Sequence, residues 1–177
     1  MAHIKLPKVD EVDENTKKEF EKYKALTGNL SDLIRILATR QDIMDMTGFM
    51  IKTLLQSQTE LDIKIKEYIA IVVSLENGCS VCVGEHERVA KMLGMSTEVI
   101  DQLKAGFENA ALDDAVIKLL RFCVKCSKES YKVIQKDFDE LREVGYSDSQ
   151  LFETVAIVGY YNYINTISNA MGAGGGA

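Results

Sequence analysis

The sequence predicts an all-α protein, and three observations carry that prediction. Proline occurs once in 177 residues, at Pro7, so the chain beyond it lacks the strongest helix breaker. Leu, Ile, Lys, Glu, Ala and Met are plentiful, whereas runs of alternating Val, Thr and Tyr that would mark half-buried strands are scarce. Apolar residues recur at helical spacing between Gly, Asn, Ser and Asp residues that stop and start helices. With 46% hydrophobic residues, a single domain of this length buries roughly 70% of the surface its unfolded chain exposes, enough to fold without cross-links.

Residues 1 to about 12 show little periodicity and read as an arm. A first helix is predicted from about Glu14 to Leu26, stopped near Gly28. Ser31 caps a short helix from Asp32 to Ala38, and a longer one runs from about Gln41 to Ser57 with Ile43, Met46, Met50 and Leu54 at helical spacing. The next opens at Leu61-Asp62 and is apolar on nearly all sides at Ile69, Ala70, Ile71, Val72 and Val73, which marks a core helix; Asn77-Gly78 closes it. A helix from near Cys79 to about Leu93 ends at Gly94, Ser96 caps another to about Lys104, and Gly106 to Leu112 is a connection. Asp113 or Asp114 starts a helix through Cys126, Tyr131 to Val144 is amphipathic and closed by Gly145, and Ser147 caps a long last helix to about Ala170. No shift in composition divides residues 1–170, which read as one domain followed by a flexible glycine-rich tail, 171–177. At an offset of 51 residues, Leu93-Gly94-Met95-Ser96 matches Val144-Gly145-Tyr146-Ser147; what repeats is a helix stop followed by a helix start.

The net charge of −6 leaves no basic footprint for nucleic acid or anionic lipid. No stretch has the roughly 18 to 20 apolar residues of a membrane span, the longest run being Tyr68 to Leu75 with one serine inside it. The polar N-terminus carries no apolar leader segment, so the expectation is a soluble protein of the reducing cytoplasm. There, two C-x-x-C pairs, Cys79/Cys82 and Cys123/Cys126, point to redox or metal chemistry before structural disulfides.

The two pairs differ in their surroundings. Cys79, Cys82 and His86 fall at i, i+3 and i+7 of a predicted helix, within an arc of roughly 60° at about 100° per residue. Cys79 is placed in the first turn, where unsatisfied N–H groups and the helix dipole favour a thiolate; Cys82 has His86 one turn on, a partner for its proton. The helix terminus thus favours Cys79 as nucleophile and the histidine favours Cys82, and spacing leaves both open. Glu67 lies 11 residues before Gly78 and His86 eight after it, so on antiparallel helices they sit roughly 16 and 12 Å from the turn and can be neighbours. A carboxylate beside an imidazole orients the ring and fixes its tautomer, as a thiol-activating relay requires. The plainer alternative makes Glu67, between Lys64 and Lys66, a solvated residue at a helix start. Cys123 and Cys126 lie well inside a helix among apolar residues and read as packing. Forty residues separate the pairs, more than zinc ribbons use, leaving a Cys-Cys-His site with one open position as the remaining zinc arrangement; no metal or cofactor is assigned. His3 reads as a solvated tail residue.

Glu67, eleven further residues, Cys79-Ser80-Val81-Cys82 and then His86 together resemble the signature of alkylhydroperoxidase D (AhpD) and its relatives in the carboxymuconolactone decarboxylase superfamily. The similarity extends over roughly residues 60–105, through Lys66 to Cys79 and Leu93-Gly94-Met95-Ser96, with a further likeness at Gly159 to Thr166 in the last helix. The resemblance implies an AhpD-like helical bundle with its C-x-x-C motif at a helix N-terminus, assembled as a homotrimer or homohexamer, and a thiol-dependent peroxidase. It implies Cys82 as the peroxide-attacking thiolate, Cys79 as the resolving, reductant-facing thiol, His86 as base and Glu67 as the group polarising His86. A small dithiol, or a lipoyl or thioredoxin-like protein, would be the reductant. Val81 departs from AhpD, which has a histidine between the cysteines. Lactone decarboxylation, which does not use a C-x-x-C pair, is disfavoured. A general thiol–disulfide oxidoreductase and a non-catalytic oligomeric redox sensor are the competing readings. Apolar faces at Tyr68 to Leu75 and at Val155 to Ile167, with Tyr160, Tyr161 and Tyr163, suggest subunit contacts under any of them.

Overall fold

Side-chain caps and positive-φ glycines cut the chain into helices close to where the sequence places them. The structure is a computed structural model; it describes residues 2–174, the side chains of 26 and 27 aside. Among the described residues there are nine α-helices and no strand: α1 (Glu14–Thr27), α2 (Asp32–Leu37), α3 (Gln41–Met50), α4 (Ile63–Glu76), α5 (Ser80–Met92), α6 (Thr97–Gly106), α7 (Asp114–Glu129), α8 (Gln135–Glu143) and α9 (Asp148–Ala170). Asp13, Ser31, Asp62 and Ser147 each accept a backbone N–H in the first turn of the helix they open, as N-caps do. No helix among the described residues is long and apolar enough to cross a membrane.

Helix α4 is the axis of the fold. Its Ile69, Ala70, Ile71, Val72 and Val73 are buried on all sides because α5, α6, α7 and α9 pack around it. The apolar faces singled out as subunit contacts are therefore covered largely within one chain: Tyr160 and Tyr161 of α9 are also buried, while Phe49, Met92, Tyr131 and Phe152 are the large apolar side chains left most exposed. Cys123 and Cys126 lie in the core, as their neighbours predict.

Three boundaries differ from expectation. The helix expected to run regularly from Gln41 to Ser57 widens into a π segment at Ile51–Gln56. Its end is held by Lys66, a fully buried cation whose Nζ donates to Leu54 O at 2.9 Å and Ser57 O at 3.3 Å and pairs with Glu153 Oε1 at 2.6 Å. Helix α7 continues to Glu129, and α8 begins at Gln135 rather than Tyr131, because Ile134 is extended and the Asp137 carboxylate accepts its N–H at 2.7 Å, setting the helix start there. At the C-terminus Met171–Gly174 form turns; the expected flexible tail includes residues 175–177, which lie outside the described residues. His3 is exposed yet tethered, its N–H donating to Met171 O at 2.9 Å and its Nδ1 to Ala170 O at 3.1 Å.

Candidate active site

The site grows from the turn between α4 and α5. Gly78 takes φ +66°, a conformation glycine adopts without steric penalty, and so lets the chain reverse in three residues. The Cys79 N–H then donates to Ser74 O at 2.9 Å. Asn77 ties the turn to the last helix, donating to Asn162 Oδ1 at 2.8 Å and Asn165 Oδ1 at 3.0 Å, while Asn165 donates to Ser74 Oγ at 3.2 Å. Ser127 of α7 donates to Asn162 Oδ1 at 2.7 Å. This amide network fixes where α5 starts relative to three other helices, and with it where both sulfurs lie.

Cys79 and Cys82 are joined as a disulfide, their Cα atoms 5.3 Å apart. Cys79 is not in the first turn of α5 but is its N-cap, its sulfur accepting the N–H of Cys82 at 3.4 Å. The antiparallel α4–α5 pair brings Glu67 and His86 together: Nδ1–H of His86 donates to Glu67 Oε2 at 2.7 Å. Glu67 is only 4% exposed, so the solvated alternative for it fails. Its neighbour Lys66 turns the other way, to the π segment.

One residue of the site was not foreseen. Tyr161 of α9, fully buried, has its hydroxyl 3.1 Å from His86 Nε2 and its ring edge-on to the imidazole, with centroids 5.0 Å apart. Burial, then the charge of Glu67, hold its hydroxyl well above the ordinary phenol value of 10.0. No sequence spacing links residues 86 and 161; the signals are the tyrosine-rich run Gly159-Tyr160-Tyr161-Asn162-Tyr163 and the family likeness over Gly159 to Thr166, neither of which points to His86.

The two sulfurs border different cavities. Cys82 and His86 share the wall of an apolar cavity of about 200 Å³ with Leu37, Ile51, Leu55 and Ile164. A larger depression of about 450 Å³ shares Tyr23, Ile34, Leu37, Thr47 and Ile51 with it and is also lined by Glu19 and Asp45. Cys79 borders a separate groove of about 380 Å³ bounded by Leu75, Gly84, Glu87 and Lys104. Val81 sits elsewhere: a Cβ on Gly174 would lie 2.4 Å from Val81 Cγ2, so the C-terminal turn rests on this residue between the cysteines, and it is the missing side chain of Gly174 that allows the approach.

Cys123 and Cys126 have no comparable partners. Burial pushes the Cys123 thiol well up, and burial with Asp137 nearby pushes Cys126 from 9.0 to about 11, the opposite of what a reactive thiol needs. Among the described residues no three His, Cys, Asp or Glu side chains are grouped as a metal would require, and both nitrogens of His86 are engaged by protein.

A helical bundle organised around a C-x-x-C pair at a helix N-terminus, with a buried Glu–His couple behind it, defines the class of protein. The model of the carboxymuconolactone decarboxylase family matches residues 34–123, just over half of the chain, and the chain belongs to that family. No protein of curated function matches the sequence. Among solved structures, the alkylhydroperoxidase AhpD core protein of Ralstonia eutropha JMP134, an uncharacterized peroxidase-related protein, superposes with a TM-score of 0.91 at 22% identity, over 97% of this chain and 90% of that one. An uncharacterized peroxidase-related protein of Silicibacter sp. TM1040 gives 0.90 at 23% identity over 97% and 90%. The debrominase Bmp8, in a cysteine-to-alanine variant bound to 2,3,4-tribromopyrrole, gives 0.82 at 18% identity over 98% and 92%. The fold is thus the all-α AhpD-like fold.

Proposed function

We propose that the protein is a thiol peroxidase that reduces organic hydroperoxides by cycling the Cys79–Cys82 pair. The observation that carries this is the placement of Cys82 in one apolar cavity with His86, whose far nitrogen is held by the buried carboxylate of Glu67. In the reduced protein Cys82, one helical turn from His86, gives its proton to the imidazole. The thiolate attacks the terminal oxygen of the hydroperoxide; the O–O bond breaks, Cys82 becomes a sulfenic acid, and the departing alkoxide takes the proton from His86 to leave as alcohol. Cys79, joined to Cys82 across one turn of α5, then condenses with the sulfenic acid to form the disulfide and release water. A dithiol reductant attacks Cys79 from its own groove and leaves as its disulfide, restoring both thiols. The apolar cavity favours substrates with a hydrocarbon body, and separate access keeps the reductant clear of it.

The same reading places the protein in a reducing compartment and in a homo-oligomer, which would cover exposed apolar side chains such as Phe49 and Phe152. Reduced protein treated with one equivalent of an organic hydroperoxide is expected to lose about two thiols per chain, with the new disulfide mapping to Cys79–Cys82. An unchanged thiol count, or a link through Cys123 or Cys126, defeats the proposal. A general thiol–disulfide oxidoreductase would instead turn over disulfides much faster than hydroperoxides.

A further inference from the structure

In the disulfide form His86 has no free nitrogen. Nδ1–H goes to Glu67 at 2.7 Å, and Nε2, the nitrogen that must receive a proton from Cys82, faces the Tyr161 hydroxyl at 3.1 Å. Among the described residues that hydroxyl has no other hydrogen-bond partner, so it donates to Nε2, and the ring carries its proton on Nδ1. Protonating Nε2 would turn this buried donor away from its acceptor, a cost that buried polar groups resist.

We infer that Tyr161 is a positioning residue that holds His86 Nε2 while the cysteines are oxidised and yields it to the Cys82 thiol once they are reduced. The switch rests on the peroxidase reading only in taking Cys82 as the thiol that His86 serves. Its basis is spatial: Cys82 and His86 are one turn apart on α5 and border the same cavity, Glu67 holds Nδ1, and Tyr161 of α9 meets the one ring nitrogen left to serve the thiol. Tyr161 and Cys82 therefore compete for one lone pair. Breaking the disulfide gives Cys82 an S–H with which to compete; forming it removes the competitor. The titratable groups around His86 are Glu67 from α4 and Tyr161 from α9, both touching the ring, and Tyr23 from α1, Tyr160 from α9 and Cys82, Glu85 and Arg88 on α5, which line the cavity it shares. Of these, only Glu67 and Tyr161 are hydrogen-bonded to its ring nitrogens.

The test is Tyr161→Phe, which keeps the ring, the burial and the edge-on contact and removes only the hydroxyl. In reduced protein the pH profile of Cys82 alkylation by a small iodoacetamide reagent, followed by peptide mapping, is expected to move about one unit to lower pH. The rate below the midpoint then rises about tenfold, the scale of one hydrogen bond. An unmoved profile means that Tyr161 only packs, and a profile moved to higher pH means that it carries the proton instead of competing for it; either result overturns the inference. Because no peroxide is involved, failure here is distinct from failure of the peroxidase reading. Should the variant not fold, imidazole ¹⁵N spectra of the unaltered protein decide: with only His3 and His86 in the chain, the His86 resonances are expected to change on reduction of the disulfide and those of His3 to stay. Identical His86 resonances in both redox states overturn the inference.

Discussion

Glu67 shows how one buried charge sets the chemistry of a neighbouring ring. With its carboxylate 2.7 Å from Nδ1 and almost no solvent contact, it fixes the imidazole by a bond that water cannot replace. Glu67→Gln preserves the shape and an acceptor for the same N–H but removes the charge that stabilises the ring once it has taken a proton. Hydroperoxide reduction by this variant, measured in a stopped-flow thiol assay, is expected to be about ten- to a hundredfold slower, with the thermal midpoint near that of the unaltered protein. Equal rates would show that Glu67 is structural. The Glu67–His86 neighbourhood was legible in the sequence because both residues lie on one helical hairpin, where distance along the chain converts to distance in space. Tyr161 was not legible, because a contact between α5 and α9 depends on how helices pack and leaves no periodic trace.

At the scale of elements, the helices that end in glycine and start at Ser or Asp were predicted to within a few residues, because those signals act locally. The π segment at Ile51–Gln56 escaped prediction for another reason: its wider turn is held by the Lys66 ammonium on two backbone carbonyls, a contact that leaves no periodic trace in the sequence. Lys66 meets two backbone carbonyls and Glu153, itself bonded by Thr59, in a nearly dry setting. Lys66→Met fills much of the volume but strands Glu153 and leaves the Leu54 and Ser57 carbonyls without their donor. Urea unfolding is expected to show a loss of about 3–5 kcal/mol, the usual result of removing one member of a buried pair. Adding Glu153→Met should recover a good part of that loss, since the paired charges were themselves costly to bury. If Lys66→Met unfolds at the original midpoint, the π segment is held by something else.

Across the whole molecule the sequence separates two C-x-x-C pairs by their surroundings, and the fold joins one pair as a disulfide while burying the other as protonated thiols. Cys79 and Cys82 lie at a helix start between two cavities; Cys123 and Cys126 are sealed in the core, with Cys126 held up to about 11. Burial raises the Tyr146 hydroxyl to about 12, and Tyr160 and Tyr161 move the same way. All of these groups are neutral in folded and unfolded chains below about pH 9, so stability there is undiminished. From 9.0 upward the unfolded chain sheds its thiol protons while the folded chain keeps them; the unfolded state then binds fewer protons, and stability falls as pH rises. For Cys126, a shift from 9.0 to about 11 corresponds to about 2–3 kcal/mol lost by pH 11. The phenols follow above 10. Urea midpoints measured on the disulfide form between pH 8 and 10 should therefore decline, and in Cys126→Ala the decline from pH 9 to 10 should be smaller by about 1 kcal/mol, whatever the variant costs at neutral pH. Parallel declines in the two proteins would mean that the Cys126 thiol ionises as readily in the fold as out of it, and that the core pair is not sealed.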